Sequence, residues 1–117
     1  MLEKPVFLQG WFNFSGTGLD EPAALNPPVT YKVPFDKRAQ LVYFRAGNPI
    51  DELIYVVLTR DRKAMRYFPI GAKGASHVEL AVVEDLQPET VLEVLLAAPA
   101  GVTDSVVLDL GLVEIET

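Results

Sequence analysis

The chain has 117 residues, half of them apolar, a net charge of -6 at neutral pH, one histidine and no cysteine. That size suits one domain spanning 1–117 with its own core. The missing cysteines exclude disulfides, thiolate metal sites and thiol nucleophiles, and the negative charge opposes attraction to nucleic acid or an anionic membrane.

Met1 to Pro5 carries no basic segment leading into an apolar stretch, and no run reaches bilayer length, so neither a signal peptide nor a spanning segment is expected. Residues 1–39 hold Pro5, Pro22, Pro27, Pro28 and Pro34 among Gly10, Gly16 and Gly18, which predicts an irregular part with short edge strands. Pro5 to Phe14, rich in aromatic residues, reads as an edge strand packing onto the rest. Residues 15–29 read as a long loop, and Val29 to Val33 as a brief strand.

From Gln40 onward short Val/Ile/Leu/Tyr-rich runs alternate with turn signals: Gln40 to Ala46, Leu53 to Arg60, Ala64 to Ile70, His77 to Val83, Val91 to Ala98 and Ser105 to Ile115. Ala46-Gly47-Asn48-Pro49 and Asp61-Arg62-Lys63 have the composition of hairpin connections. Leu53 to Leu58 is apolar on both faces, as in a central strand. In the strand from His77, Val78, Leu80 and Val82 point inward and His77, Glu79 and Ala81 outward. Pro88 to Ala98 also fits a helix, but Val91, Val94 and its brevity favour a strand. The sum is an all-β fold, an antiparallel β-sandwich of about eight strands, jelly-roll-like.

Catalytic character is sparse. His77 is the one side chain suited to acid/base work near neutrality, but on a strand Ser76 and His77 diverge to opposite faces and form no nucleophile–base pair. A surface histidine making a turn hydrogen bond accounts for it without catalysis, so no enzyme activity is expected. In Gly71-Ala72-Lys73-Gly74 the lysine precedes the second glycine and a strand follows, unlike a P-loop. Its amides could form a small anion nest, charged by Lys73, Arg66 and His77, although a flexible connection with a solvated Lys73 is the preferred account.

Charge is segregated, with Arg60, Arg62, Lys63, Arg66, Lys73 and His77 in one stretch and only acids from Glu79 onward. Arg66-Tyr67-Phe68 sets a planar cation beside aromatic rings, equipment for stacking on a sugar or engaging a carboxylate. Because alternation separates Arg66 from Tyr67, the arrangement with Tyr67 inward and Arg66 outward avoids burying an unpaired guanidinium. Trp11, Tyr43 and Tyr55 are further stacking platforms, although half-buried sheet surface is the ordinary fate of such residues. Asp109, alone in Val106-Val107-Leu108-Asp109-Leu110, reads as a solvated acid on an edge strand. Calcium would need converging ligands from Glu3, Glu114 or a loop carbonyl, so no metal and no cofactor is expected.

Small jelly-roll sandwiches without catalytic machinery resemble, as a class, carbohydrate-binding modules and other accessory domains. The expectation is a non-enzymatic recognition module for a saccharide or similar polar ligand, with Trp11, Tyr43, Arg45, Arg66, Tyr67, Lys73 and His77 as contacts. The alternative is a structural or assembly protein. The mean hydropathy of +0.22 leaves apolar surface for a partner protein or self-association.

Overall fold

Two-residue periodicity dictates the architecture. In the computed structural model, which describes residues 3–81 and 83–116, the chain forms β1 (Glu3–Ser15), β2 (Ala23–Lys32), β3 (Lys37–Gly47), β4 (Ile54–Arg60), β5 (Lys63–Ile70), β6 (Ala75–Glu79), β7 (Asp85–Leu86), β8 (Val91–Ala97) and β9 (Thr103–Glu116). All pairings are antiparallel, in the order β5-β4-β8-β2-β1-β9-β3-β6, with β7 also on β3. The β5-β4-β8-β2 half packs over the β1-β9-β3-β6 half, an antiparallel sandwich of jelly-roll type.

Alternation supplies the core between the halves. Val106, Leu108, Leu110 and Leu112 of β9 face Leu92, Val94 and Leu96 of β8 and Ile54, Val56 and Leu58 of β4 across the interior. Phe44 of β3 stacks on Phe68 of β5 with ring centroids 4.0 Å apart and planes 8° from parallel. Asp61 and Arg62 take positive φ, 49° and 70°, closing the β4–β5 hairpin with the left-handed pair that a two-residue turn needs.

Several expectations from the sequence are corrected. The N-terminal part is not irregular, because β1 and β2 are long strands. β1 pairs with β9 along its whole length, from Glu3↔Ile115 to Ser15↔Thr103, and meets β2 on its other side only at Asn13↔Asn26, so over most of its length it borders its half as an edge strand, though a long one. The prolines within 23–32 are tolerated because the β2–β8 register jumps between Ala24 and Val29, leaving Pro27 and Pro28 off that ladder and solvent-exposed. The ninth strand, β7, is a two-residue pairing that no periodicity announces. The strand expected from His77 to Val83 is β6, which starts earlier and ends at Glu79; Val82 lies outside the described residues.

Arg66 is also reversed. Phe68 and Ile70 are buried and Tyr67 is 61% exposed, so Arg66 lies on the inner side of β5. The premise that an inward guanidinium is unpaired fails, since Arg66 Nε donates to Glu84 Oε1 at 3.1 Å. Glu84 also meets Arg60 at 3.8 Å, and Arg38 holds Asp85 at 3.0 Å. The strap around β7 thus ties the two halves together, with Glu84 engaging two arginines of the basic stretch, Arg60 and Arg66.

Candidate functional site

The outer face of the β1-β9-β3-β6 half collects the polar residues that alternation excludes from the core. Because directly paired residues project to the same side, the ladders fix three transverse rows. One runs Phe7–Gly111–Tyr43–Glu79, the next Gln9–Asp109–Arg45–His77, and the third Trp11–Val107–Gly47–Ala75. The register shift in β3 falls between Leu41 and Tyr43, outside these rows.

The middle row is polar and the outer rows carry the aromatic rings. Trp11 is 69% exposed and Phe7 53%. Tyr43 lies across the backbone of Gly111 and donates its hydroxyl hydrogen to Asp109 Oδ1 at 2.9 Å. Arg45 Nη1 stands 3.6 Å from Asp109 Oδ2 while remaining more than half exposed. Partial burial, then the hydrogen bond to Asp109 and the negative charge behind it, raise the Tyr43 pKa, so the phenol stays protonated. At Gly47 an added Cβ would sit 2.8 Å from Val107 Cγ1, so the glycine keeps this part of the face low. Two adjoining depressions result, of about 700 and 510 Å³, and Arg45 and His77 line both.

Of the residues predicted as contacts, Trp11, Tyr43, Arg45 and His77 come together here. Tyr67 is on the outer face of the opposite half, 6.1 Å from the Tyr55 ring, and Arg66 is engaged by Glu84. Lys73 is in the β5–β6 loop, where its amide donates to Ile50 O and that of Gly74 to Gly71 O. Two amides that an anion nest would use are therefore spent, one on the β3–β4 connection and one within the loop itself. Ser76 pairs with Ala46 and His77 with Arg45, so the two side chains take opposite faces.

Gln9, Glu79 and the partnering of Asp109 were not foreseen. Asp109 faces outward as expected, but on an interior strand and beside Tyr43 and Arg45. Its legible signal was an acid two residues before a glycine in an otherwise bulky run. Among the described residues no group of three or more His, Asp or Glu is placed to hold a metal.

No family model and no curated protein matches the chain. Solved structures similar to it include the CBM36-1 domain of a multidomain xylanase from the hindgut metagenome of Trinervitermes trinervoides. That domain is 13% identical, with a TM-score of 0.58 over 94% of this chain and 96% of that one. A chain of infectious bursal disease virus, Gx strain, is 11% identical with a TM-score of 0.50, over 98% of this chain and 33% of the viral one. At these identities the likeness is one of fold.

Proposed function

We propose that the protein is a non-enzymatic recognition module that binds saccharides on the outer face of its β1-β9-β3-β6 half. The observation that carries this is the polar row Gln9–Asp109–Arg45–His77 flanked by the rings of Phe7, Tyr43 and Trp11. A pyranose presents an apolar C–H face and a rim of hydroxyls. Exposed rings accept the first, and an amide, a carboxylate and a guanidinium held on neighbouring strands pair with the second. The similar fold of a carbohydrate-binding module supports the reading. Glycan-array screening followed by calorimetry tests it. Trp11→Ala and Arg45→Ala each weaken binding at least about tenfold, ~1.4 kcal/mol, with an unchanged circular dichroism spectrum; an array without hits overturns it.

A second reading is assembly. Phe7, Trp11 and Val107 are exposed large apolar residues on one face, a patch that a second copy or a partner protein would cover. Light scattering separates the two: a concentration-dependent dimer that Trp11→Ala dissociates favours assembly, and a monomer at high concentration counts against it.

A further inference from the structure

Three features of the face bear on how a glycan lies in it. The rows run across the strands without a register shift, from β1 to β6. The middle row supplies one polar group per strand, so amide, carboxylate, guanidinium and imidazole succeed one another at the strand spacing of about 4.8 Å. That spacing is close to the length one pyranose adds to an extended chain, and the row spans about 14 Å, or about three units. The two depressions share Arg45 and His77, making one trough from Gln9 and Trp11 toward Leu80 and Ala81.

Both ends of the trough are open. β6 is the last strand of its half. Beyond β1, the β1–β2 register consists of Asn13↔Asn26, four residues from Gln9, about 13 Å along the strand. A site for a chain end needs a wall against which the terminal sugar stops, and among the described residues no further strand pairs on the outer side of Gln9 or His77 to supply one.

We infer that the face binds the interior of an extended polysaccharide laid across the strands, about three units being held at once. This rests on the saccharide reading above and adds the ligand's form and direction. Calorimetric titration with xylo-, cello-, manno- and chito-oligosaccharides, from monosaccharide to hexasaccharide, tests it. For the series that binds, affinity rises at least about tenfold from monosaccharide to trisaccharide and then levels off, and reducing the terminal unit of the hexasaccharide to its alditol changes affinity less than about twofold. Gln9→Ala and His77→Ala, at opposite ends, each weaken the hexasaccharide at least about threefold. Full affinity for a monosaccharide, loss of binding on alditol formation, or an effect of only one of the two substitutions overturns the inference while leaving the saccharide reading intact. No binding in any series overturns both.

Discussion

The Tyr43 ring occupies the space that a side chain on Gly111 would fill: a Cβ there would lie 2.0 Å from Cε2 and 2.6 Å from Cδ2 of Tyr43. The glycine is thus required for the neighbour's side chain, and the flattened ring is what carries the hydroxyl to Asp109. Gly111→Ala displaces the ring, breaks the bond to Asp109 and destabilises the protein by about 1–3 kcal/mol through overpacking. Urea denaturation measures the loss. A Tyr43→Ala/Gly111→Ala double variant recovers most of it, since the two effects share one contact, and an additive result refutes the arrangement.

Tyr31 of β2 and Glu114 of β9 bridge the two halves, with the phenol donating to Glu114 Oε2 at 2.5 Å. Burial first, then the hydrogen bond and the negative charge of Glu114, push the Tyr31 pKa well above its ordinary value near 10. A raised folded-state pKa means that the stabilisation is complete below the unfolded pKa and is lost as pH climbs through the folded one. Stability measured by thermal melting therefore begins to fall above about pH 10. Tyr31→Phe lacks this part of the alkaline loss, and at neutral pH costs about 1–3 kcal/mol for the buried carboxylate deprived of its donor. An identical alkaline profile in the variant contradicts the assignment.

Most strands after Gln40 were legible because their periodicity is local. Leu53 to Leu58 is apolar on both faces and becomes the interior strand β4; Val78 and His77 alternate as expected. The β2 strand was hidden because Pro27 and Pro28 signal a break, and only pairing on either side of a register jump makes them compatible with a sheet. Arg66 was misplaced because its partner, Glu84, is remote in sequence and the cost of burial depends on that partner. The candidate site was legible residue by residue but not as a row. Trp11, Arg45 and His77 belong to three strands, and only the registers of β1 on β9, β9 on β3 and β3 on β6 align them with Asp109.

Asn48, 4% exposed, joins the β3–β4 and β5–β6 connections. Its Nδ2 donates toward the carbonyls of Glu52, Ile70 and Gly71 at 2.8, 3.2 and 3.0 Å, and its Oδ1 accepts from Ile50 N at 3.1 Å. Asn48→Ala leaves these carbonyls without their donor and costs about 1–3 kcal/mol, a fall in melting temperature of about 4 °C per kcal/mol. Asn48→Asp is the more severe change despite its similar shape, because it turns an acceptor toward three acceptors. An Asn48→Asp melting temperature close to that of the unsubstituted protein and above that of Asn48→Ala would show that shape, not donation, is what the position requires.

Arg66, Tyr67 and Lys73 stand apart from the trough, and their variants separate its geometry from the charge and aromatic content of the sequence. Arg66→Ala removes one of the two arginines held by Glu84. With Arg66 and Glu84 both more than a quarter exposed, the ion pair itself contributes at most about 1 kcal/mol of stability. Tyr67→Ala removes a ring from the opposite face, and Lys73→Ala a side chain whose backbone bonds persist. None of the three changes glycan affinity by more than about twofold, within ~0.4 kcal/mol, whereas Trp11→Ala and Arg45→Ala abolish most of it. Parallel titrations of the five variants decide the matter: a large loss at Tyr67 or Arg66 with none at Trp11 would move the binding surface to the β5-β4-β8-β2 half.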